Sequence, residues 1–226
     1  MANPLEIVAM HSRTLTAAER PSAFPIAASP NPHPLDIARI VGAAAWRRLP
    51  PALQRRFEPG HGPATYRGTM TLERSAMGAL FARLVTVLGA PLPVARATDA
   101  EVVVDVRAEA EGVVWERKFS PRQSVRSVKL PGSDGTVLER TDGGLGMVLD
   151  VSVQDGGLVF TSRSFFLSLW RWRLPLPGLL TPGRCRVEHR AIGETRFRFT
   201  LTMTHPLWGT TFRQSGIFTD TPECAP

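Results

Sequence analysis

The chain has 226 residues, 43% hydrophobic and 21% charged, with a formal net charge of +7. That composition suits a globular protein with one sizeable core. Cys185 and Cys224 stand 39 positions apart, the second among the last three residues, where a crosslink is hard to hold. Both read as reduced thiols. Without a CxxC pair or a His/Cys cluster at zinc spacing, no structural metal is expected, and no cofactor signature is present.

Glu6, His11 and Arg13 interrupt Met1 to Leu15, so no secretory h-region is read. The closest approach to a spanning helix, Ala76 to Leu88, falls short of the ~20 residues required and contains Arg83. The expected location is the cytoplasm, with peripheral contact to the inner membrane left open.

Up to Pro34 the chain sets Pro21, Pro25, Pro30, Pro32 and Pro34 among Ala and Ser, with no sustained period of 2 or 3.6. Residues 1–34 read as a disordered or wrapping tail, and Met10 offers an alternative start. Short helical patterns follow from Leu35 to Trp46 and from Pro51 to Phe57, the latter with proline in its first turn. Ala64 to Leu72 reads as a strand in which Tyr66, Met70 and Leu72 share a parity. Ser75 can then cap a helix carrying Met77, Leu80, Phe81, Leu84, Val85 and Leu88, ended by Gly89 and Pro91. With Arg83 almost its sole charge, that helix is expected to be buried on most sides, against the concave face of a sheet.

From Glu101 onward the chain alternates in short segments. Val102, Val104 and Val106 form one face, Val113, Trp115 and Phe119 follow Gly112, and turn signals stand at Pro131–Gly135, Asp142–Gly144 and Asp155–Gly157. Met147, Leu149, Val151 and Val153 make a half-buried strand. Leu158 to Ser162, a segment around Phe165 to Pro177, Arg184 to Arg190, Arg196 to Thr204 and Thr210 to Phe218 complete the series. In the clearest of these, Phe197, Phe199, Leu201 and Met203 face one way and Arg196 and Arg198 the other. The predicted fold is mainly β (α+β): an antiparallel meander of about eight to nine strands, strongly curved or barrel-like, curled around the Ser75–Leu88 helix. Residues 35–218 form its single domain and 219–226 a tail.

The charge is concentrated. Between Gly157 and Phe218 nine arginines face two glutamates, while the rest of the chain balances, so the whole excess lies in the C-terminal strands.

One ordered set of motifs stands out. It comprises Leu49-Pro50-Pro51-Ala52-Leu53, Tyr66-Arg67-Gly68 entering a strand, Trp115-Glu116-Arg117-Lys118-Phe119, and Leu174-Pro175-Leu176-Pro177 with Leu180-Thr181-Pro182. It ends with His205-Pro206-Leu207-Trp208-Gly209 and Gln214-Ser215-Gly216. Over Leu49 to Phe218 this set resembles the bacterial domain-of-unknown-function family 4166. Members of that family stand alone or are appended to NAD(P)-binding oxidoreductase-like domains, so the resemblance implies an oxidoreductase as one partner to consider. It carries over no catalytic residues.

The segment Phe165 to Pro177 packs aromatic, aliphatic and cationic residues together. On one strand, Phe166, Ser168, Trp170, Trp172 and Leu174 would share a face, and Phe165, Leu167, Leu169, Arg171 and Arg173 the other. Two-sided burial in a central strand explains this, and so does a surface for an amphipathic anion. Pro175 and Pro177 end the pairing, at a mouth or an edge, and Gly178 to Gly183 form a connection or a lid. His189 shares its parity with Cys185 and Val187 and is either a hydrogen-bonded core histidine or a general base. Asp150 and Glu116 suit ion pairs with strand arginines. Gly143-Gly144-Leu145-Gly146 leads into a strand, which excludes a nucleotide fingerprint. Nucleic acid is disfavoured because Phe197 and Phe199 oppose Arg196 and Arg198, whereas stacking and phosphate contact must share one surface.

The expected function is a non-catalytic binding module for an apolar or amphipathic, anionic small molecule of lipid or fatty-acyl type. Trp115, Trp170 and Trp172 would supply apolar contact, and Arg171, Arg173 and Arg186 would meet the headgroup. Two alternatives stay open: an isomerase, cyclase or hydrolase using His189 and a carboxylate in the same cavity, and an interaction domain for an NAD(P)-dependent oxidoreductase.

Overall fold

Sequential hairpins and a first strand that meets the last close this chain into a barrel. The computed structural model describes residues 24–25, 35–87, 96–109, 112–120, 123–169 and 172–221. In chain order the elements are β1 (Phe24–Pro25), α1 (Ile37–Val41), α2 (Ala43–Trp46), α3 (Pro51–Phe57), β2 (Ala64–Arg74), α4 (Ala76–Val87), β3 (Ala97–Glu109), β4 (Gly112–Ser120) and β5 (Gln123–Pro131). There follow β6 (Val137–Thr141), β7 (Leu145–Gln154), β8 (Gly157–Leu169), β9 (Trp172–Leu176), a 3-10 turn at Gly178–Leu180, β10 (Arg184–Ile192), β11 (Arg196–His205) and β12 (Gly209–Thr221).

Strands β2 to β8 pair in order, β8 passes to β10, and β12 returns to β2 with Phe212 opposite Arg74 and Thr221 opposite Thr65. The result is a closed antiparallel barrel of ten strands, slightly more than the eight or nine expected. The turns explain its regularity. Gln154 pairs with Gly157, leaving Asp155-Gly156 as a two-residue loop with φ of 47° and 72°. Two positive φ values give the turn whose twist matches that of the flanking strands, and Asp followed by Gly tolerates them.

Side chains alternate as the period of two requires. Tyr66, Met70 and Leu72 on β2, Val102 and Val104 on β3, and Phe197, Phe199 and Met203 on β11 are buried, whereas Arg196 and Arg198 are exposed.

The helix that fills the barrel is not the one expected. Only Ser75 separates β2 from α4, too short a link to fold a helix back into the lumen, so α4 continues past the end of the barrel and covers it. Phe81, Ala82 and Val85 pack inward while Leu80 and Leu84 stay exposed. Gly78 permits the close docking: a Cβ there would lie 2.1 Å from the Thr211 carbonyl oxygen. At the opposite end, the six-residue link Glu58–Pro63 lets α3 turn back over the lumen. Leu53 is fully buried and Phe57 nearly so. The Phe57 ring lies 5.8 Å from that of Trp115 on β4, 6.0 Å from Phe160 on β8 and 5.0 Å from His189 on β10. It therefore touches walls that are far apart around the sheet.

Phe165 to Pro177 is not one strand either. Leu169 pairs with Trp172 as β8 reverses into β9, and Phe24 and Pro25 of β1 pair with Arg173 and Trp172 on the outer edge of β9. Trp170 and Arg171 lie outside the described residues. No Gly, Pro, Asn or Asp marks this reversal, so a face continuous from Phe166 to Leu174 does not form. β12 runs to Thr221, past the boundary expected at 218. Of the tail expected over residues 1–34, only Phe24 and Pro25 are described.

Replacing Phe57 by Ala is expected to lower the unfolding free energy by about 3–5 kcal/mol, because a ring spanning the lumen leaves a cavity behind. Leu84→Ala on the exposed side of α4 is expected to change it by less than about 0.5 kcal/mol. Urea denaturation of the two variants measures both; a small loss at Phe57 would remove α3 from the role given to it.

Candidate functional site

The lumen gathers charges that the β5–β6 hairpin brings together. Its register places Lys129 directly opposite Glu139. The Glu139 Oε1 accepts a hydrogen bond from the Ser127 hydroxyl at 2.7 Å and lies 3.0 Å from the Lys129 ammonium, with Arg117 of β4 at 3.9 Å. Lys129 also sits 5.2 Å from the centre of the Trp115 ring. All of these groups are largely withdrawn from water. Burial by itself raises the Glu139 carboxyl, but Lys129, Arg117 and Ser127 together outweigh it and hold the group below its ordinary value. Lys129 fares differently. Burial lowers it, and its single carboxylate partner, opposed by the like charge of Arg117, does not restore it. Two cations share one anion, so the anion gains more than either cation.

His189 stands beside this cluster in an aromatic ring of Phe57, Trp115, Phe160, Phe197 and Phe199, with centroid distances of 5.0 to 6.1 Å. Its Nδ1 is buried without a hydrogen-bond partner. Burial first, then the positive charges of Arg56, Lys129 and Arg117, hold its pKa well below the usual value, so the imidazole is neutral. Arg56 reaches in from α3 with its guanidinium 3.7 Å above the Phe197 ring. One of its nitrogens donates to Asp220 at 2.6 Å, while Nε and Nη1 are buried without partners. Burial pushes the Cys185 thiol up to about 12, so it stays protonated and is a poor nucleophile. A cavity lined by Met70, Val104, Trp115, Arg117, His189, Phe197, Phe199 and Phe218 has room for about one water molecule.

The residues singled out in the sequence fall in three places. Trp115 and His189 face the lumen. Arg186 lies on the outer face of β10, where it donates to Gln154 at 2.9 Å and lies 3.5 Å from Glu188. Trp172 is 52% exposed on β9, and the Arg173 guanidinium lies 5.4 Å from the Phe166 ring. Trp170 and Arg171 are outside the described residues. The surface pairs take the partners Arg107 for Glu116, at 3.2 Å, and Arg163 for Asp150, at 2.6 Å.

Sequence reasoning passed over two features. The Lys129–Glu139 pair is one: the two opposite charges are equidistant from the loop 132–136 that joins Pro131 to Val137. The second feature is an apolar end to the barrel. Among the described residues, the exposed large apolar side chains are Leu80 and Leu84 of α4, Leu169, Trp172 and Leu174 of the β8–β9 hairpin, Leu179 and Leu180 of the 3-10 turn, Leu207 and Trp208 between β11 and β12, and Ile217. All but Ile217 belong to segments at the end that α4 covers. His205 joins α4, the 3-10 turn and the β11–β12 turn: its ring stacks on Trp208 at 4.0 Å, lies 5.9 Å from Phe81, and its Nε2 approaches the Leu179 carbonyl oxygen at 3.4 Å. The available signal was Leu and Trp in turn positions where polar residues are usual.

Two substitutions separate the roles inside the lumen. Glu139→Gln leaves buried cations unpaired and is expected to cost about 3–5 kcal/mol at neutral pH by urea denaturation. Because folding depresses the Glu139 carboxyl, its contribution is complete above the unfolded-chain value and is lost as pH falls through the folded one, so the variant should also lose less on acidification. His189 works through the unfolded state. Below a pH of about 6.5 the unfolded chain takes up a proton that the native site refuses, at up to about 1.4 kcal/mol per pH unit. His189→Leu should therefore flatten the fall in melting temperature between neutral and mildly acidic pH, and an unchanged slope would count against a neutral, buried imidazole.

Comparison with curated proteins and with solved structures gave no significant match. The family model described as "Domain of unknown function (DUF4166)" matches residues 49–218, which take in the α3 plug, the lumen cluster and the whole apolar end. The chain belongs to that family.

Proposed function

We propose that this protein is a non-catalytic binding module for an anionic amphipath of lipid or fatty-acyl type, taken at the apolar end of the barrel. The observation that carries this reading is the gathering, among the described residues, of nearly all exposed large apolar side chains at that one end. Patches of this kind mark interaction sites, and barrel mouths are common places for ligands. Arg83 on α4 and Arg184 at the start of β10 are exposed beside the patch, where a carboxylate or phosphate headgroup would meet them, while Arg173 packs over Phe166 on the other face of β9. Peripheral contact with a membrane belongs to the same reading. Among the described residues no helix is long and apolar enough to cross a membrane.

An enzyme working inside the lumen is the less supported alternative. His189 and Arg117 do line one cavity, but it has room for about one water, and the imidazole is neutral among aromatic rings. The oxidoreductase partner rests on the family resemblance alone.

Titration of the full chain with a dansyl-labelled fatty acid, below its micelle concentration, tests the proposal. Saturable binding is expected, weakened at least about a hundredfold when Arg83 and Arg184 are both changed to Glu, since charge-assisted hydrogen bonds contribute on the order of 1.5–3 kcal/mol each and about 1.4 kcal/mol is tenfold. Absence of binding, together with no lipid co-purifying in native mass spectrometry, would sink it.

A further inference from the structure

Resting on the reading that the apolar end takes anionic amphipaths, we propose that the protein meets them as the surface of an anionic bilayer, on which this end docks face down. Shape is the first reason. Behind the exposed side chains the end is packed: His205 and Thr211 are buried, and the Thr211 hydroxyl donates to the Pro182 carbonyl oxygen. The exposed groups thus stand on a filled floor. A single acyl chain lying on that floor covers some of them, whereas a flat interface covers all of them at once.

Order within the patch is the second reason. The most exposed side chains, Leu180 at 70% and Leu207 at 68%, sit in turns at the tip, while Trp172 and Trp208 are partly covered. Aliphatic tips would enter the acyl boundary and the indoles would lie at headgroup level, where their N–H groups stay hydrated.

Charge is the third and selects the occupant. Residues 76–87, 164–184 and 203–213, which carry the patch, contain Arg83, Arg171, Arg173, Arg184 and Arg213 and no Asp or Glu. Arg83 and Arg184 are exposed, as is Arg213, which has Glu73 of β2 as its cross-strand neighbour. Anionic headgroups complement such a rim. A second copy of the chain seated on the same end would instead set these arginines against one another.

Co-sedimentation of the full chain with vesicles tests the proposal. Binding is expected on phosphatidylcholine vesicles containing phosphatidylglycerol, about tenfold weaker on phosphatidylcholine alone, and reduced by high salt. Leu180→Glu and Leu207→Glu should each lower the vesicle-bound fraction about tenfold while circular dichroism stays native, and Ile217→Glu on the barrel wall should not. If the monomeric dansyl fatty acid binds but anionic vesicles do not, bilayer docking is overturned and the amphipath reading stands. If neither binds, both fall. Binding without preference for phosphatidylglycerol, or full binding by both Glu variants, overturns the docking surface. Self-association in light scattering that Leu180→Glu abolishes, without vesicle binding, replaces the bilayer by a second copy.

Discussion

A closed wall of ten strands encloses more room than a narrower barrel, and filling that room is the constraint on which this molecule rests. About eight strands leave an interior that wall side chains can fill by themselves. Here the wall needs help, which comes from α3, a helix of seven residues that sequence periodicity alone would rank as minor. Pro51 in its first turn fixes the helix start, and Leu53 and Phe57 then point into the barrel. Phe57 packs against β4, β8 and β10 together, so the plug bridges separate parts of the closed wall.

The plug also sets the electrostatics of the interior. Arg56 enters with Phe57 and adds its charge to those of Lys129 and Arg117, against Glu139 inside and Asp220 at the rim. Buried ions are costly unless paired, and the pairing here is tight around the carboxylate and looser around the cations. Their joint field, added to burial, keeps His189 neutral. Inside the lumen, Arg56 Nε and Nη1 and His189 Nδ1 are nonetheless buried without hydrogen-bond partners. The lumen's other polar groups are occupied with one another or walled off by aromatic rings, which directs attention to the outside of the barrel. There the apolar end and the arginines beside it form the surface where this fold is least self-satisfied.

How much of this could be read from residues alone varied with how local the cause was. The strands on either side of Asp155-Gly156 were visible because turn chemistry and a period of two act over a few positions, and the inward parity of His189 followed from its strand neighbours. The reversal between β8 and β9 was not visible, because no turn residue marks it; Trp172 and Arg173 consequently stand on a hairpin and not on a continuation of the Phe166 face. Lys129 and Glu139 were hidden for another reason. Polar residues on a strand are read as outward, and here they face in, each made tolerable by a partner across the hairpin.

The sequence by itself determined the class of fold, the hairpins whose turns carry Gly or Asp, the short helices before the first barrel strand and the concentration of arginine in the last strands, since all of these follow from local pattern and composition. Only the tertiary structure decided which helix fills the barrel, that Arg56 and His189 join the Lys129–Glu139 hairpin pair inside it, and that leucines and tryptophans from α4, the β8–β9 hairpin, the 3-10 turn and the β11–β12 turn share one end. Those outcomes depend on link lengths and on closure of the sheet. Closure brings together residues more than a hundred positions apart, and no window of sequence contains both partners.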